Sequence, residues 1–257
     1  MIAEKVDQDG GDVSRLFPAG TSVSHLAVYD WSSPDGLRGG SAHVHLACTE
    51  GYVVVGGRGR LQTLSPDGYA ETPLTPLTVA WFSPGVIHRL VNDADLQIVV
   101  VMQNSGLPEA GDCVLTFPSD YLDDPEVYSR VASLADPERV YASGGEAAEE
   151  RKNLAVEGFL ALRERFETEG RSALAEFYAA ATALTRTKVV GWRDTWEAGP
   201  LAAARRTGEH LEALAKGEHR HLHQGRLTVL EPPSTRRYGM CGNLATYEAS
   251  RITPTPE

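Results

Sequence analysis

The sequence predicts a mainly β fold, a sandwich or barrel, followed by an α-helical region and two returning strands. From about residue 20 to 104, short runs of β-branched and aromatic residues alternate with turn sequences and show no helical pattern. After about residue 118, apolar residues recur at helical spacing, and the C-terminal segment again has the sequence pattern of β-strands. We therefore expect a β domain at 1–118 and a helical region with C-terminal strands at 119–257.

Turn sequences divide the β part into short strands. SPDG occurs at 33–36 and 65–68, SPG at 83–85 and NDAD at 92–95. Many short strands without helices between them are typical of a sandwich or barrel, because each strand buries one face against the others. The candidate strands are 22–31, 41–48, 52–56, 59–64, 69–73, 78–82, 87–91 and 96–103.

The helical region is predicted from stripes of apolar residues. A short Pro-initiated helix within 119–133 precedes four longer helical patterns. Such stripes indicate helix faces that pack against the rest of the protein. The four stripes are Ala155, Phe159, Leu162 and Phe166; Leu174, Phe177, Ala181 and Leu184; Val189, Trp192 and Trp196; and Leu201, Ala204, Leu211 and Ala215.

Two strand-like segments end the chain, RLTVL at 226–230 and LATYEAS at 244–250. Two strands cannot close a barrel of their own. Because isolated strands leave unpaired edges, we expect both to pair with the first sheet or with a dimer partner.

Composition excludes several classes of function. A net charge of -11 disfavours nucleic acid and anionic membranes as partners. The N-terminal sequence MIAEKVDQDGGDV lacks the apolar core of a signal peptide, and the run IVVVM at 98–102 is too short to cross a bilayer. Cys48, Cys113 and Cys241 form no CxxC pair, so reduced thiols are expected. These features predict a cytoplasmic protein.

Three metal-binding side chains lie close together in HVHLACTEG, residues 43–51. Side chains alternate along a strand, so His43 and His45 face the same side, and Glu50 follows after a short link. His88, just after the SPG turn, is the candidate fourth ligand from across the barrel. Three imidazoles and one carboxylate suit one divalent transition metal, Mn, Fe, Ni, Co or Zn, and leave a position open for substrate.

These residues also carry a resemblance to a known family. HVHLACTEGYVVVGG resembles the first cupin motif, His-x-His, four residues, Glu, six residues, Gly, through His43, His45, Glu50 and Gly57. In cupins the motifs bracket a small double-stranded, jelly-roll-like β-barrel, and three histidines and the glutamate bind the metal. The resemblance therefore implies a metal-binding cupin barrel, and at the family level a homodimer.

PGVIHRLVN resembles the second cupin motif through Gly85, His88 and Asn92. The resemblance covers about residues 20–105 and does not extend to the helices. The sequence departs from the pattern where Leu37 replaces the glycine expected six residues before the first histidine, and where the usual Pro-x-Gly is an adjacent Pro-Gly pair. These departures concern turns and leave all four ligand positions filled.

Strand alternation suggests five further residues that would line a substrate pocket: Tyr52, Gln103, His25, Tyr29 and Asn92. Tyr52 shares a face with Glu50. The alternative for all five is a solvent-facing position, and for Asn92 it is closure of the NDAD turn.

HRHLH contains His219, His221 and His223 without a carboxylate at ligand spacing. It is interpreted as an exposed strand edge or helix end, and alternatively as a segment that reaches the barrel mouth.

The cupin resemblance is compatible with dioxygenase, oxalate-cleaving, isomerase, lyase, cyclase and ligand-sensing functions. No second copy of the motifs and no helix-turn-helix follow. We predict a metal-dependent enzyme that acts on a small oxygenated metabolite, carbohydrate-like or a keto or hydroxy compound, by isomerase, lyase or dioxygenase chemistry. The alternative is a non-catalytic metal-dependent ligand-binding or scaffold protein.

Overall fold

The computed structural model describes residues 17–134 and 144–247. Within these ranges, nine strands form one sheet in which every paired strand is antiparallel to its neighbour. The strands are β1 (Ser22–Val28), β2 (His43–His45), β3 (Glu50–Ser65), β4 (Gly68–Leu74), β5 (Val79–Phe82), β6 (Ile87–Met102), β7 (Cys113–Leu115), β8 (Arg237–Tyr238) and β9 (Gly242–Thr246).

The main path of the sheet runs β4-β3-β6-β1-β9-β8. In addition, β2 pairs with β6 and β7, and β5 pairs with β3. The path ends at β4 and β8, and no pairing between described strands joins these ends into a closed barrel. The predicted mainly β fold with a C-terminal helical region is thus confirmed, whereas closure into a barrel is not seen among the described strands.

Two pairs of predicted strands are each one long strand. The predicted strands 52–56 and 59–64 are both part of β3. The predicted strands 87–91 and 96–103 are joined through the NDAD sequence in β6, which ends at Met102. An irregular register between Val54 and Gly59 lets β3 continue. There Gly57 has a φ of 65°, and a Cβ on it would lie 2.0 Å from the Asp95 carbonyl oxygen, so the close approach requires glycine.

Six α-helices are described: α1 (Ser119–Leu122), α2 (Pro125–Ala132), α3 (Glu146–Glu169), α4 (Arg171–Thr185), α5 (Val189–Trp196) and α6 (Ala202–Ala215). The four predicted apolar stripes lie on α3 to α6, apart from Leu201, which precedes α6. Asp124 caps α2 by accepting hydrogen bonds from the backbone N–H groups of Glu126 and Val127. No helix within the described ranges is long and apolar enough to cross a membrane.

One hydrophobic core joins the helices to the sheet. Phe159 of α3 and Phe177 of α4 belong to the same buried cluster as Val44, Ile87 and Leu115. A second cluster fills the space around Tyr52, Phe82, Leu90 and Ile98. The helical region therefore shares buried apolar surface with the strands that carry the histidines.

The predicted strand 226–230 is wrong. RLTVL is an irregular segment in which Leu227 and Val229 are 80% and 60% exposed. Its β-branched residues favour a strand, but the edge of β1 with which it could pair is occupied by β9. In addition, Pro232 and Pro233, which follow the segment, lack the backbone N–H groups needed for strand pairing. The other returning strand is present as β9, although residues 248–250 of the predicted segment lie outside the described residues.

Candidate metal centre

Three neighbouring strands bring the four predicted ligands together. His43 and His45 lie on β2, His43 is directly opposite His88 of β6 in the ladder, and Glu50 begins β3. One ligand atom from each of the four residues lies within 4.8 Å of the others, and all four side chains are buried. The antiparallel pairing thus converts spacings along the chain into one compact cluster.

The atoms of this cluster face a common point. Glu50 Oε2 lies 3.0 Å from His88 Nε2 and 3.3 Å from His45 Nε2. Despite the short separation, Glu50 Oε2 and His88 Nε2 are both buried and form no hydrogen bond with each other or with another described group. Buried polar atoms are rarely left unpartnered, and converging imidazole and carboxylate groups are the donor set of a transition-metal ion. The residues present therefore fit a metal.

The other ring nitrogen of each histidine is already engaged. Nδ1 of His43 lies 3.1 Å from the Ser41 carbonyl oxygen, and Nδ1 of His88 lies 3.0 Å from that of Val86. Nδ1 of His45 lies 3.1 Å from Asp112 Oδ2. A proton on each Nδ1 would satisfy these acceptors and leave the Nε2 lone pairs for an ion, as in most histidine metal ligands.

Asp112 is a site residue that the sequence analysis missed. Besides meeting His45, its Oδ1 accepts hydrogen bonds from the backbone N–H groups of Leu46 (3.2 Å) and Ala47 (2.7 Å). It is fully buried at the end of the turn Pro108–Asp112, directly before β7. No spacing rule connects it to a histidine 67 residues earlier, so only the pairing of β2 with β7 reveals its role.

The protonation of the cluster reflects burial and mutual contact. Burial, together with the neighbouring histidines, holds the pKa of His43 well below its usual range. Burial also lowers the pKa of His45, but its contacts with Asp112 and Glu50 outweigh this and raise the pKa to about 9. For Glu50, burial raises the pKa, yet the contacts with His45 and His88 hold it well below its usual range, so the carboxylate stays ionised.

A cavity of about 540 Å³ adjoins the cluster. His43, His45 and Glu50 form part of its wall, and the β8–β9 hairpin forms another part through residues 237–244. Cys241 of this hairpin lies 4.0 Å, Sγ to Nδ1, from His43. The volume suits a small molecule.

The structure places the predicted substrate-binding residues in different surroundings. Tyr52 is buried in the cavity wall, with its ring centroid 6.4 Å from that of His88. Asn92 is buried elsewhere, and its amide donates to the Val28 and Tyr29 carbonyl oxygens while its Oδ1 accepts from Leu96 N–H. NDAD is part of β6 and not a turn, so these bonds connect Asn92 to the end of β1 and to its own strand.

Gln103, His25 and Tyr29 also lie outside the cavity wall. Gln103 is exposed and accepts a hydrogen bond from Thr49 N–H. Nδ1 of His25 lies 3.2 Å from Arg236 Nη2, and Tyr29 donates its hydroxyl to the Gly239 carbonyl oxygen.

His219, His221 and His223 are not brought to the cavity either. Residues 220–224 form a short 3-10 helix, and Nδ1 of His219 lies 3.2 Å from Nε2 of His223 on the exposed surface. The segment is helical, as the helix-end interpretation predicts, and the alternative prediction of an extended strand edge is wrong.

No protein-family model matches the chain, and no curated protein does. Among solved structures, the Streptomyces nucleoside dehydratase Pac13 is 14% identical over 38% of this chain and 69% of its own, with a TM-score of 0.30. A conserved Klebsiella pneumoniae protein with a double-stranded β-helix domain is 19% identical over 35% and 73%, with a TM-score of 0.27.

A third similar structure is a TDP-fucose-3,4-ketoisomerase from Campylobacter jejuni, 11% identical over 31% of this chain and 58% of its own, with a TM-score of 0.27. The chain spans 62% of the length of the Pac13 structures that contain uridine. At these identities and TM-scores the matches are partial likenesses, and they do not identify a family.

Proposed function

We propose that this chain is a metal-dependent enzyme of the cupin type, in which His43, His45, Glu50 and His88 bind one divalent transition metal. The observation that carries the proposal is the convergence of four buried ligand atoms, two of which, Glu50 Oε2 and His88 Nε2, have no other partner. The proposal includes a double-stranded barrel domain at 1–118. It also includes a helical region at 119–257 that forms a cap or a dimer surface.

Three nitrogen ligands and one oxygen ligand favour Mn, Fe, Ni, Co or Zn over Ca or Mg. When bound, such an ion polarises a substrate carbonyl or lowers the pKa of a bound hydroxyl, and Fe also supports dioxygen chemistry. The cluster lies in the cavity wall, so a small molecule would reach the ion from the cavity side.

The chain itself supplies groups that would orient a small oxygenated substrate, carbohydrate-like or a keto or hydroxy compound. Burial raises the pKa of Tyr52 well above its usual range, so its hydroxyl remains a hydrogen-bond donor at neutral pH. The apolar side chains of Val100 and Met102 line the same cavity and exclude water from that side. Isomerase or lyase chemistry and dioxygenase chemistry both remain within the proposal.

The alternative, a metal-stabilised scaffold without catalysis, requires a site plugged by the C-terminal strands. The β8–β9 hairpin instead forms one wall of a cavity that also contains Tyr52 and Glu109, which are titratable groups beyond the ligands. This arrangement favours an enzyme.

Metal analysis tests the proposal. We expect purified wild-type protein to carry about one equivalent of metal, by the stoichiometry of a single four-ligand site, when measured by mass spectrometry. His43→Ala should lose it, while the matched control His223→Ala, which removes an exposed histidine, should retain it. Folded wild-type protein that binds none of the five metals would refute the proposal.

Oxygen uptake then separates the reaction classes. Bound Fe with substrate-dependent oxygen consumption, measured on a panel of sugars, keto acids and hydroxy acids, would identify a dioxygenase. Bound Mn, Ni, Co or Zn with turnover that needs no oxygen would identify an isomerase or lyase. Metal-loaded protein that binds panel compounds but converts none would favour the non-catalytic alternative.

A further inference from the structure

Two arginines of the described part of the chain are almost fully removed from solvent, and their surroundings differ. Arg89 on β6 is 0% exposed and forms a bidentate pair with Asp35, with Nη1 2.7 Å from Oδ2 and Nη2 3.2 Å from Oδ1. This is the usual way to bury a guanidinium, because a carboxylate supplies both the opposite charge and two parallel acceptors.

Arg151 on α3 has no such partner within residues 17–134 and 144–247. It is 5% exposed, and its guanidinium donates to the carbonyl oxygens of Ala132 (3.2 Å) and Gly239 (2.7 Å). Its Nε is buried without any hydrogen-bond partner, and it forms no ion pair with a carboxylate of the described residues. Burial accordingly lowers the pKa of Arg151.

Among the residues that the structure describes, this arrangement leaves the positive charge without a counter-ion. A guanidinium remains protonated in proteins, and two backbone carbonyls satisfy hydrogen bonds without cancelling the charge. A buried charge without a counter-ion is strongly unfavourable, because the charge loses its hydration and gains no opposite charge in return. The fold therefore maintains an unfavourable charge that a bound anion would neutralise.

The charge lies at the cavity that contains the metal cluster. Arg151 lines this cavity together with Cys113 and Cys241. These two thiols and the hydroxyl groups of Tyr29 and Tyr128 are the ionisable groups whose charges would act on Arg151. Thiols and phenols are ordinarily uncharged at neutral pH, so none of these groups matches the positive charge of the arginine. Arg237 also lines the cavity, but it is exposed and donates to Thr246 Oγ1.

We propose that Arg151 binds the carboxylate of a small-molecule ligand, so that the cavity selects a small carboxylic acid. One buried guanidinium matches one negative charge, and its unused N–H groups suit a planar carboxylate. A doubly charged phosphate group fits less well, because the Glu50 carboxylate in the same wall would repel it. The assignment of this ligand as a substrate rests on the proposed function, whereas the anion site does not.

Acetate and acetamide test this assignment, because they have the same shape and differ in charge, and both are small enough for the cavity. Nitrogen NMR of the arginine Nε–H groups follows the binding, with Arg151→Lys used to assign the Arg151 signal. We expect acetate to shift the Arg151 signal saturably and at least ~10-fold more tightly than acetamide, by the strength of charge-assisted pairing. Arg89 is the internal control, since its Nε is also buried and unpartnered but its guanidinium is already paired with Asp35.

The titration is run on metal-free and zinc-loaded protein, so that its failure is distinct from failure of the metal site. An Arg151 signal that responds equally to acetate and acetamide, or that moves only as much as the Arg89 signal, would overturn the assignment. Tighter binding of inorganic phosphate than of acetate at the Arg151 signal would overturn it in favour of a phosphorylated ligand. Arg151→Met should abolish the preference for acetate, and retained zinc binding would show that the variant is folded.

Discussion

At the residue scale, Asp112 shows how much of the candidate metal centre lies outside the four ligands. Its carboxylate contacts Nδ1 of His45 and is itself fixed by two backbone N–H groups from the loop after β2. This holds the imidazole in one orientation and favours the tautomer with a free Nε2. The carboxylate thus acts as a positioning group for a ligand.

Asp112→Asn should weaken metal binding while leaving the fold intact, because asparagine keeps the size and loses the charge that makes the imidazole a better donor. We expect the affinity for zinc to fall by about 10- to 100-fold, measured by competition with a chromogenic chelator. Asp30→Asn is the matched control, since its exposed pair with Arg38 lies on the surface. An affinity within twofold of wild type would contradict the role given to Asp112.

At the scale of elements, helix α3 is attached to a loop by a buried lysine. Lys152 is 0% exposed, and its Nζ donates to the carbonyl oxygens of Trp31 (3.2 Å) and Ser32 and to Ser33 Oγ (3.1 Å). Burial, with a smaller contribution from Arg89, lowers the pKa of Lys152 to about 8. Burial of the charged ammonium group is therefore unfavourable, because the group loses its hydration.

This cost predicts a pH dependence of stability. The folded pKa of about 8 lies below the unfolded value of 10.5, so between these values the unfolded state binds more protons than the folded state. The contribution of Lys152 to the free energy of unfolding should therefore rise as pH increases from about 8 towards 10.5, and below pH 8 it should be constant.

Urea denaturation between pH 7 and 10 measures this contribution as the difference in free energy of unfolding between wild type and Lys152→Met. Taking this difference cancels the effect of other titrating groups. Lys216→Met, which removes an exposed lysine at the end of α6, should follow the wild-type curve. A difference between wild type and Lys152→Met that does not change with pH would show that the amine is not penalised by burial.

At the scale of the whole molecule, the helical region and the sheet meet at a backbone contact. A Cβ on Gly158 of α3 would lie 1.9 Å from the carbonyl oxygen of Thr116, which follows β7. The Thr116 hydroxyl donates to the Ala155 carbonyl oxygen (2.7 Å) and lies 3.1 Å from that of Ala42. Helix and sheet are therefore closely packed beside the metal cluster.

Two glycine substitutions in helices test this packing. Gly158→Ala should lower the free energy of unfolding by about 2–3 kcal/mol, because the added methyl group would overlap the Thr116 carbonyl oxygen. Gly208→Ala in α6 meets no atom within 4 Å and should instead raise it by up to about 1 kcal/mol through helix propensity. Urea denaturation measures both, and stabilisation by Gly158→Ala would mean that α3 does not approach the sheet as described.

The sequence by itself determined the features that depend on neighbours along the chain. The alternation around His43 and His45, the nearby Glu50 and the SPG turn before His88 identified the four residues that cluster, because strand geometry places i and i+2 on one face. The helical stripes were equally readable, since the period of a helix is local. The segment RLTVL at 226–230 shows the limit of such local predictions. It has strand propensity but is not a strand, because the neighbouring edge of β1 is already paired with β9.

Only the tertiary structure decided which distant residues complete the site. Asp112 meets a histidine 67 residues away, and Arg151 meets Gly239 across 88 residues. The β8–β9 hairpin becomes a cavity wall through its pairing with β1. The predicted pocket residues His25, Tyr29 and Gln103 fall outside that wall for the same reason, because alternation specifies which residues share a face, and the packing of the whole chain specifies what that face contacts.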